Sequence, residues 1–205
     1  MAQPKWQRRA DERPREICAA ALELFAEKGF AAAKLDEIGR RAGVSKGTLY
    51  LYFKDKQQLF RAVVKSAIAP NIEAVTSAVS SLDAPFPDLV RMFLAGFAER
   101  EARLPIGAVA KIVVGESRNF PELARVWHDE VASKAIGALS SFIERAQQRG
   151  EVRAGDPRLY AFSLIGPMVL GALWRATLVP AGGTPLDLAA LAKQHSETVL
   201  AGLLA

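Results

Sequence analysis

Ser45, Lys46, Gly47, Thr48, Tyr50 and Tyr52 fall within eight consecutive positions. They bring together hydroxyls, one cation, two phenols and a glycine, a set suited to hydrogen bonding and contact. That chemistry suits recognition of base edges and phosphate oxygens. Lys56 adds a cation in the first turn of a following helix, where exposed N–H groups and the positive dipole end already favour a phosphate. Lys34 is a second candidate for a phosphate. Elsewhere the chemistry is sparse. His128 and His195 lie far apart, and the neighbours of each project on different helix faces rather than converging. No glycine-rich phosphate loop, nucleophile elbow or cysteine pair is present. The chain therefore reads as no enzyme, with no metal and no cofactor.

The elements that must position these residues are two short helices. Leu35, Ile38 and Ala42 recur on one helical face that stops at Gly43, a residue that takes φ > 0 without steric cost. Ser45 offers its side-chain oxygen to the next helix as an N-cap. Leu49 and Phe53, four apart, form the buried side of that second helix and leave Lys46, Gly47, Thr48, Tyr50 and Tyr52 for the other. Two helices joined by a tight glycine-containing turn form a helix-turn-helix, whose second helix enters the DNA major groove by its N-terminal residues. Before it, Ile17, Ala21, Leu24 and Phe25 predict a helix from about residue 11 to 28, closed by Gly29, with Phe30 folding back onto Ile38, Leu49 and Phe53. Residues 1–10 read as a mobile arm. After it, Asp55 and Gln58 have capping-box spacing.

Gly29-Phe30, Ile38, the run Ala42 to Tyr50, Tyr52-Phe53-Lys54, Lys56 and Leu59-Phe60 resemble the TetR family of transcriptional regulators over roughly forty consecutive positions. Two residues depart from the family pattern. Ala33 stands where a capping Thr is usual, a loss of about 1 kcal/mol. Gly39 replaces a common Ala at some loss of helix propensity. The resemblance implies a dimer that binds a palindromic operator in double-stranded DNA and responds to a small-molecule effector. A constitutive dimeric DNA-binding protein without an effector is the alternative.

Charge supports a nucleic-acid-binding head. The chain has 205 residues and a formal net charge of +5. Residues 1–65 hold 14 Lys and Arg against 8 Asp and Glu, and the remainder holds 13 against 14. All the positive surplus thus lies in the N-terminal third. Lys, Arg, Glu or Pro interrupts each apolar run before the ~18 residues of a membrane span. The N-terminal stretch lacks the apolar core of a secretory signal. Cys18, alone among Ile17, Ala19 and Ala20, reads as a small buried hydrophobe. Together these predict a cytoplasmic protein with no membrane partner.

Nothing alternates at period two over a useful length, so the fold class expected is all-α. Residues 1–55 form the helix-turn-helix domain and residues 56–205 a helical ligand-binding and dimerisation domain. A long helix through Leu59, Val63, Ile68, Ile72, Val75 and Val79 towards Leu82 meets Pro70, which predicts a kink or break. Further helices are expected at about 88–103 (Leu89, Met92, Phe93 and Phe97 inward), 105–115, 121–149, 157–178 and 186–204. Residues 116–149 resemble the AcrR-type regulatory domains within the family. By that resemblance Phe97, Val113, Phe120, Trp127, Met168 and Trp174 line an effector cavity, with Glu116 and Arg175 among its polar groups. Glu116 favours a neutral or cationic, largely apolar or aromatic effector, whereas Arg175 argues for an anionic one. The last two helices, with Leu159, Phe162, Ile165, Met168, Val169 and Leu173 on one and Leu186, Leu188, Leu191, Val199 and Leu203 on the other, correspond to the homodimer interface of TetR-like proteins.

Overall fold

In the computed structural model, residues 5–70, 84–104 and 106–205 are described, the side chains of residues 5–12 and of Ala67 excepted. The described residues are helical, apart from turns and one isolated bridge between Val152 and Leu204. They divide into two compact units. Residues up to Pro70 together with Ile112–Glu130 form one, and Asn71–Lys111 with Val131–Ala205 form the other.

The first unit opens with α1 (Lys5–Ala32), which is broken at Gly29, where φ is 79° and ψ 170°. The break falls where the sequence predicts closure, but α1 begins at Lys5, so residues 5–10 are helical rather than an arm. Helices α2 (Leu35–Arg41) and α3 (Lys46–Tyr52) follow. Ile17, Leu24, Phe25, Phe30, Ile38 and Leu49 are buried beneath them. Helix α4 (Lys56–Val63) adds Leu59 and Phe60 to the same core. Phe25, Phe30 and Phe60 form an aromatic triangle with centroids 5.4–6.0 Å apart. Such ring pairs contribute about 0.5–1.5 kcal/mol each beyond area burial.

A π-helical turn, Val64–Ile68, continues α4, and Ala69 N–H donates five residues back to the carbonyl of Val64. A proline has no N–H and crowds the carbonyl four residues earlier, here Ser66, so widening the helix just before Pro70 relieves that crowding. The distortion therefore precedes the proline. The expected continuation through Ile72, Val75, Val79 and Leu82 lies outside the described residues. Within this unit, helix α7 (Pro121–Trp127) brings Leu123 and Val126 into the core.

The second unit is built on α5 (Phe86–Arg103), α8 (Ser133–Gln148), α9 (Pro157–Thr177) and α10 (Leu188–Leu203). Phe86 stacks on Phe142 with centroids 4.9 Å apart. Val90, Leu94, Ile143, Leu164, Met168 and Leu200 fill the space around that pair. Met92, expected inward, is exposed. It lies one position before Phe93, and the buried face of α5 runs through Leu89, Val90, Phe93 and Leu94. Helix α6 (Ile106–Glu116) places Gly107 so close to α9 that an added Cβ would come within 2.3 Å of the Ala172 carbonyl oxygen. Only glycine permits that backbone approach.

The expected single helix over residues 121–149 is α7 and α8 joined by a second π turn, His128–Ala132. Residues 157–181 form a helix long and apolar enough by length and composition to cross a membrane, with an 18-residue stretch whose mean hydropathy is 1.5. Pro167 and Arg175 interrupt it, as the sequence predicts, but one proline and one charge leave the mean over that stretch high. One face of α9, with Ala161, Leu164, Met168 and Ala172, is buried in the unit's core.

Candidate nucleic-acid interface

The turn between α2 and α3 is fixed by backbone geometry. Gly43 sits at φ 65°. Val44 N–H donates to the Gly39 carbonyl at 2.9 Å and Gly43 N–H to that of Arg40 at 3.2 Å. This is the Schellman pattern, which satisfies the orphan carbonyls at a helix end. Ser45 then caps α3, its Oγ accepting from Thr48 N–H at 3.1 Å and lying 2.9 Å from the Thr48 hydroxyl. At the start of α2, Lys34 is the N-cap residue and makes no side-chain cap. Asp36 and Glu37 in that first turn compensate in part through the helix dipole.

Helix α3 presents a divided surface. Leu49 and Phe53 are buried, Tyr50 is 43% exposed, and Leu51 is 84% exposed. Ser45, Lys46 and Gly47 are exposed, with Thr48 and Tyr52 half-buried. Lys46 Nζ donates to Asp36 at 3.1 Å and lies 5.9 Å from the centre of the Tyr50 ring. The hydrogen bond to Asp36, and then that carboxylate's charge, raise the Lys46 pKa. Five of the expected DNA-contacting residues and their cap thus lie on one short helix and its first turn. Leu51 was not among them; its placement opposite Leu49 and Phe53 was the available signal.

Lys56 departs from the expected phosphate role. Its ammonium turns inward and donates to the carbonyls of Phe30 at 2.5 Å, Ala31 at 2.9 Å and Ala33 at 3.0 Å. Its three N–H donors meet three acceptors, and the Phe30 ring centre lies 4.6 Å away. Desolvation lowers the Lys56 pKa, while the charge of Glu116 works the other way. Asp55 caps α4 by accepting from Gln58 N–H at 2.7 Å. The Gln58 side chain accepts from Lys54 N–H rather than from that of Asp55.

Glu116 also differs from its expected place. Its Oε1 accepts from Ala31 N–H at 3.1 Å. It caps the short turn after Gly29, beside the carbonyls that Lys56 holds. Phe120 packs edge-on against Phe30 at 5.0 Å. These two belong to the first unit with Val113, which is buried, and Trp127, which is half-buried.

The other four residues of the expected cavity belong to the second unit. Met168 is fully buried in the closed core and Phe97 packs against it. Trp174 is 38% exposed, and its indole N–H donates to the Thr184 carbonyl. Arg175 lines a groove of about 490 Å³ with Ala98, Ala102, Val179, Pro185 and Leu186. Close by, the Glu101 carboxylate accepts from Gly107 N–H at 3.1 and 3.2 Å. Burial raises its pKa to about 7, against the lowering effects of the Gly107 bond and the charge of Arg175. No cluster of His, Cys, Asp or Glu among the described residues could hold a metal ion. His195 Nε2 lies 2.9 Å from the Leu164 carbonyl.

A helix-turn-helix carrying a basic and aromatic outer face defines a DNA-binding regulator. Comparison with known proteins gives the family. Residues 17–63 match the family of bacterial regulatory proteins, tetR family, and residues 87–199 match the tetracyclin repressor-like C-terminal domain. The chain belongs to the TetR family of transcriptional regulators. It is 41% identical over 69 residues to the transcriptional activator FasR of Mycolicibacterium smegmatis, a match spanning 34% of this chain and 32% of that protein. It is 24% identical over 152 residues to the fatty acid metabolism regulator protein of Bacillus subtilis, covering 74% of this chain and 77% of the relative. Among solved structures it is similar to FadR of Bacillus subtilis in complex with stearoyl-CoA. That match has a TM-score of 0.75 and 22% identity, over 92% of this chain and 98% of the other.

Proposed function

We propose that this regulator is a dimeric, ligand-responsive repressor that binds a palindromic operator through two copies of the Ser45–Tyr52 surface. The observation that carries this reading is α3 itself. Its inner residues Leu49 and Phe53 are buried while Lys46, Gly47 and Tyr50 face solvent. The helix is therefore anchored by one side and free to read bases with the other. Dimerisation is supported by α9 and its C-cap Leu178, where Leu159 is 64%, Phe162 51%, Leu170 65% and Leu178 42% exposed. A row of this size is larger than scattered surface apolars and suits a second copy of the helix.

The effector reading is supported by the groove beside Arg175, whose volume lies in the range of small-molecule sites. Its largely apolar walls suit a small apolar or aromatic molecule, with Arg175 available to one polar group beside the helix-capping carboxylate of Asp187. The preference for a cationic effector rested on Glu116, and that carboxylate is engaged with Ala31 N–H. Selection of genomic fragments by the purified protein, followed by footprinting, tests the whole reading. A protected palindrome with two half-sites about one helical turn apart is expected. Uniform retention of all fragments would refute an operator. Matched hydrophobic cations and hydrophobic carboxylates, titrated against the protein bound to a labelled duplex, test the effector.

A further inference from the structure

Leu51 is the most exposed large hydrophobic side chain of the described residues, at 84%. It lies in the recognition helix rather than at a terminus or loop. An α-helix turns about 100° per residue, so Leu51 stands about 200° round from Leu49 and about 160° from Phe53. It is therefore opposite the anchored face. Gly47 precedes it by four residues and Thr48 by three, so both share its outward face. Gly47 leaves open space beside it, since an added Cβ would meet nothing nearer than Ser45 Oγ at 3.9 Å. Tyr50 and Lys46 flank this face, and the unit's segment up to residue 65 carries the chain's whole positive surplus. Water gains nothing from a bare leucine there, while the major groove offers one apolar group, the C5-methyl of thymine.

We infer that Leu51 is a specificity-determining residue that reads a thymine methyl in each half-site of the operator, an inference resting on the DNA-binding reading above. Lys46 and the phenols supply polar contacts, and Leu51 with Gly47 supplies the apolar one. Burial of one methyl corresponds to roughly a four-fold preference for thymine over uracil at that position.

The test uses the full chain and duplexes that it selects from a random-sequence library. Each thymine of the enriched sequence is replaced in turn by uracil, which removes the methyl and keeps every hydrogen-bonding group. One or two positions per half-site should lose about four-fold in affinity with the natural protein. Leu51→Ala should bind the thymine duplex more weakly and show no response to uracil at those positions. Its thermal unfolding should match the natural protein's, because the side chain is exposed. Uracil sensitivity that persists unchanged in Leu51→Ala, or is absent from the natural protein, overturns the role of Leu51 alone. Failure of the library to enrich any sequence overturns the operator reading and this inference with it.

Discussion

Replacing Lys56 with methionine separates two roles that its position allows. A phosphate ligand would leave the fold intact when removed and would reduce the slope of log affinity against log salt by about 0.9 per protomer. The structure instead gives the ammonium three carbonyl partners within 3.0 Å. Methionine keeps most of the aliphatic stem and deletes the charge. The carbonyls of Phe30 and Ala33, which lie in partly buried bonds, then lose their donor, at about 1–3 kcal/mol each. Water replaces the bond to Ala31, which is exposed. Relief of the ammonium's desolvation, visible in its lowered pKa, offsets part of this cost. The net expectation is a loss of about 2–4 kcal/mol from the DNA-binding head. Urea unfolding followed by circular dichroism reads the stability, and fluorescence anisotropy at several salt concentrations reads the slope. After correction for the folded fraction, the slope should be unchanged. A slope reduced by about 0.9 per protomer with unaltered stability would refute the inward role.

Other perturbations follow from the same contacts. Tyr50→Ala should lower operator affinity strongly and leave unfolding unchanged, because the ring is partly exposed on the outer face; loss of the folded state would place Tyr50 in the core. Asp36→Asn frees Lys46 from its ion pair and removes a like charge facing phosphates, so affinity for any duplex should rise several-fold and salt dependence should steepen. Weaker binding would show that Asp36 presents Lys46 to DNA. The pKa of Glu101, raised to about 7, means that the folded chain holds a proton which the unfolded chain releases near 4.5. Stability conferred by that proton is complete below about pH 4.5 and falls as pH rises through about 7. The shift corresponds to about 3 kcal/mol, which solvent contact reduces to about 1–2 kcal/mol. Glu101→Gln should flatten the decline between pH 5 and 8 in urea titrations; an equal decline in the variant assigns it elsewhere.

Legibility in the sequence followed the range of the forces involved. The α2–α3 turn rests on local chemistry, a glycine at positive φ and a serine cap, and both signals are carried by single residues. The core of the head was equally readable, since Ile17, Ala21, Leu24 and Phe25 on α1 and Leu49 and Phe53 at α3 follow helical spacing and are buried. The π turns were not readable. Nothing in Val64–Ile68 distinguishes an i→i+5 ladder from an ordinary one, and only the later Pro70 gave notice of strain. Side chains that cross between elements were the hardest. Lys56 and Phe30 are 26 residues apart, and Glu116 and Ala31 are 85 apart. A charge in a first turn looks the same in sequence whether it faces phosphate or folds back onto carbonyls.

The two misplaced charges belong together. Lys56 holds the carbonyls of Phe30, Ala31 and Ala33, and Glu116 holds the N–H of Ala31, so opposite charges clamp the same four-residue turn. That turn follows the positive-φ break at Gly29. Its polar backbone groups need partners. A lysine from α4 and a glutamate from the end of α6 provide them. The inward courses of Lys56 and Glu116 are thus one arrangement. The position of α2, and with it the recognition helix, depends on side chains outside the helix-turn-helix segment itself.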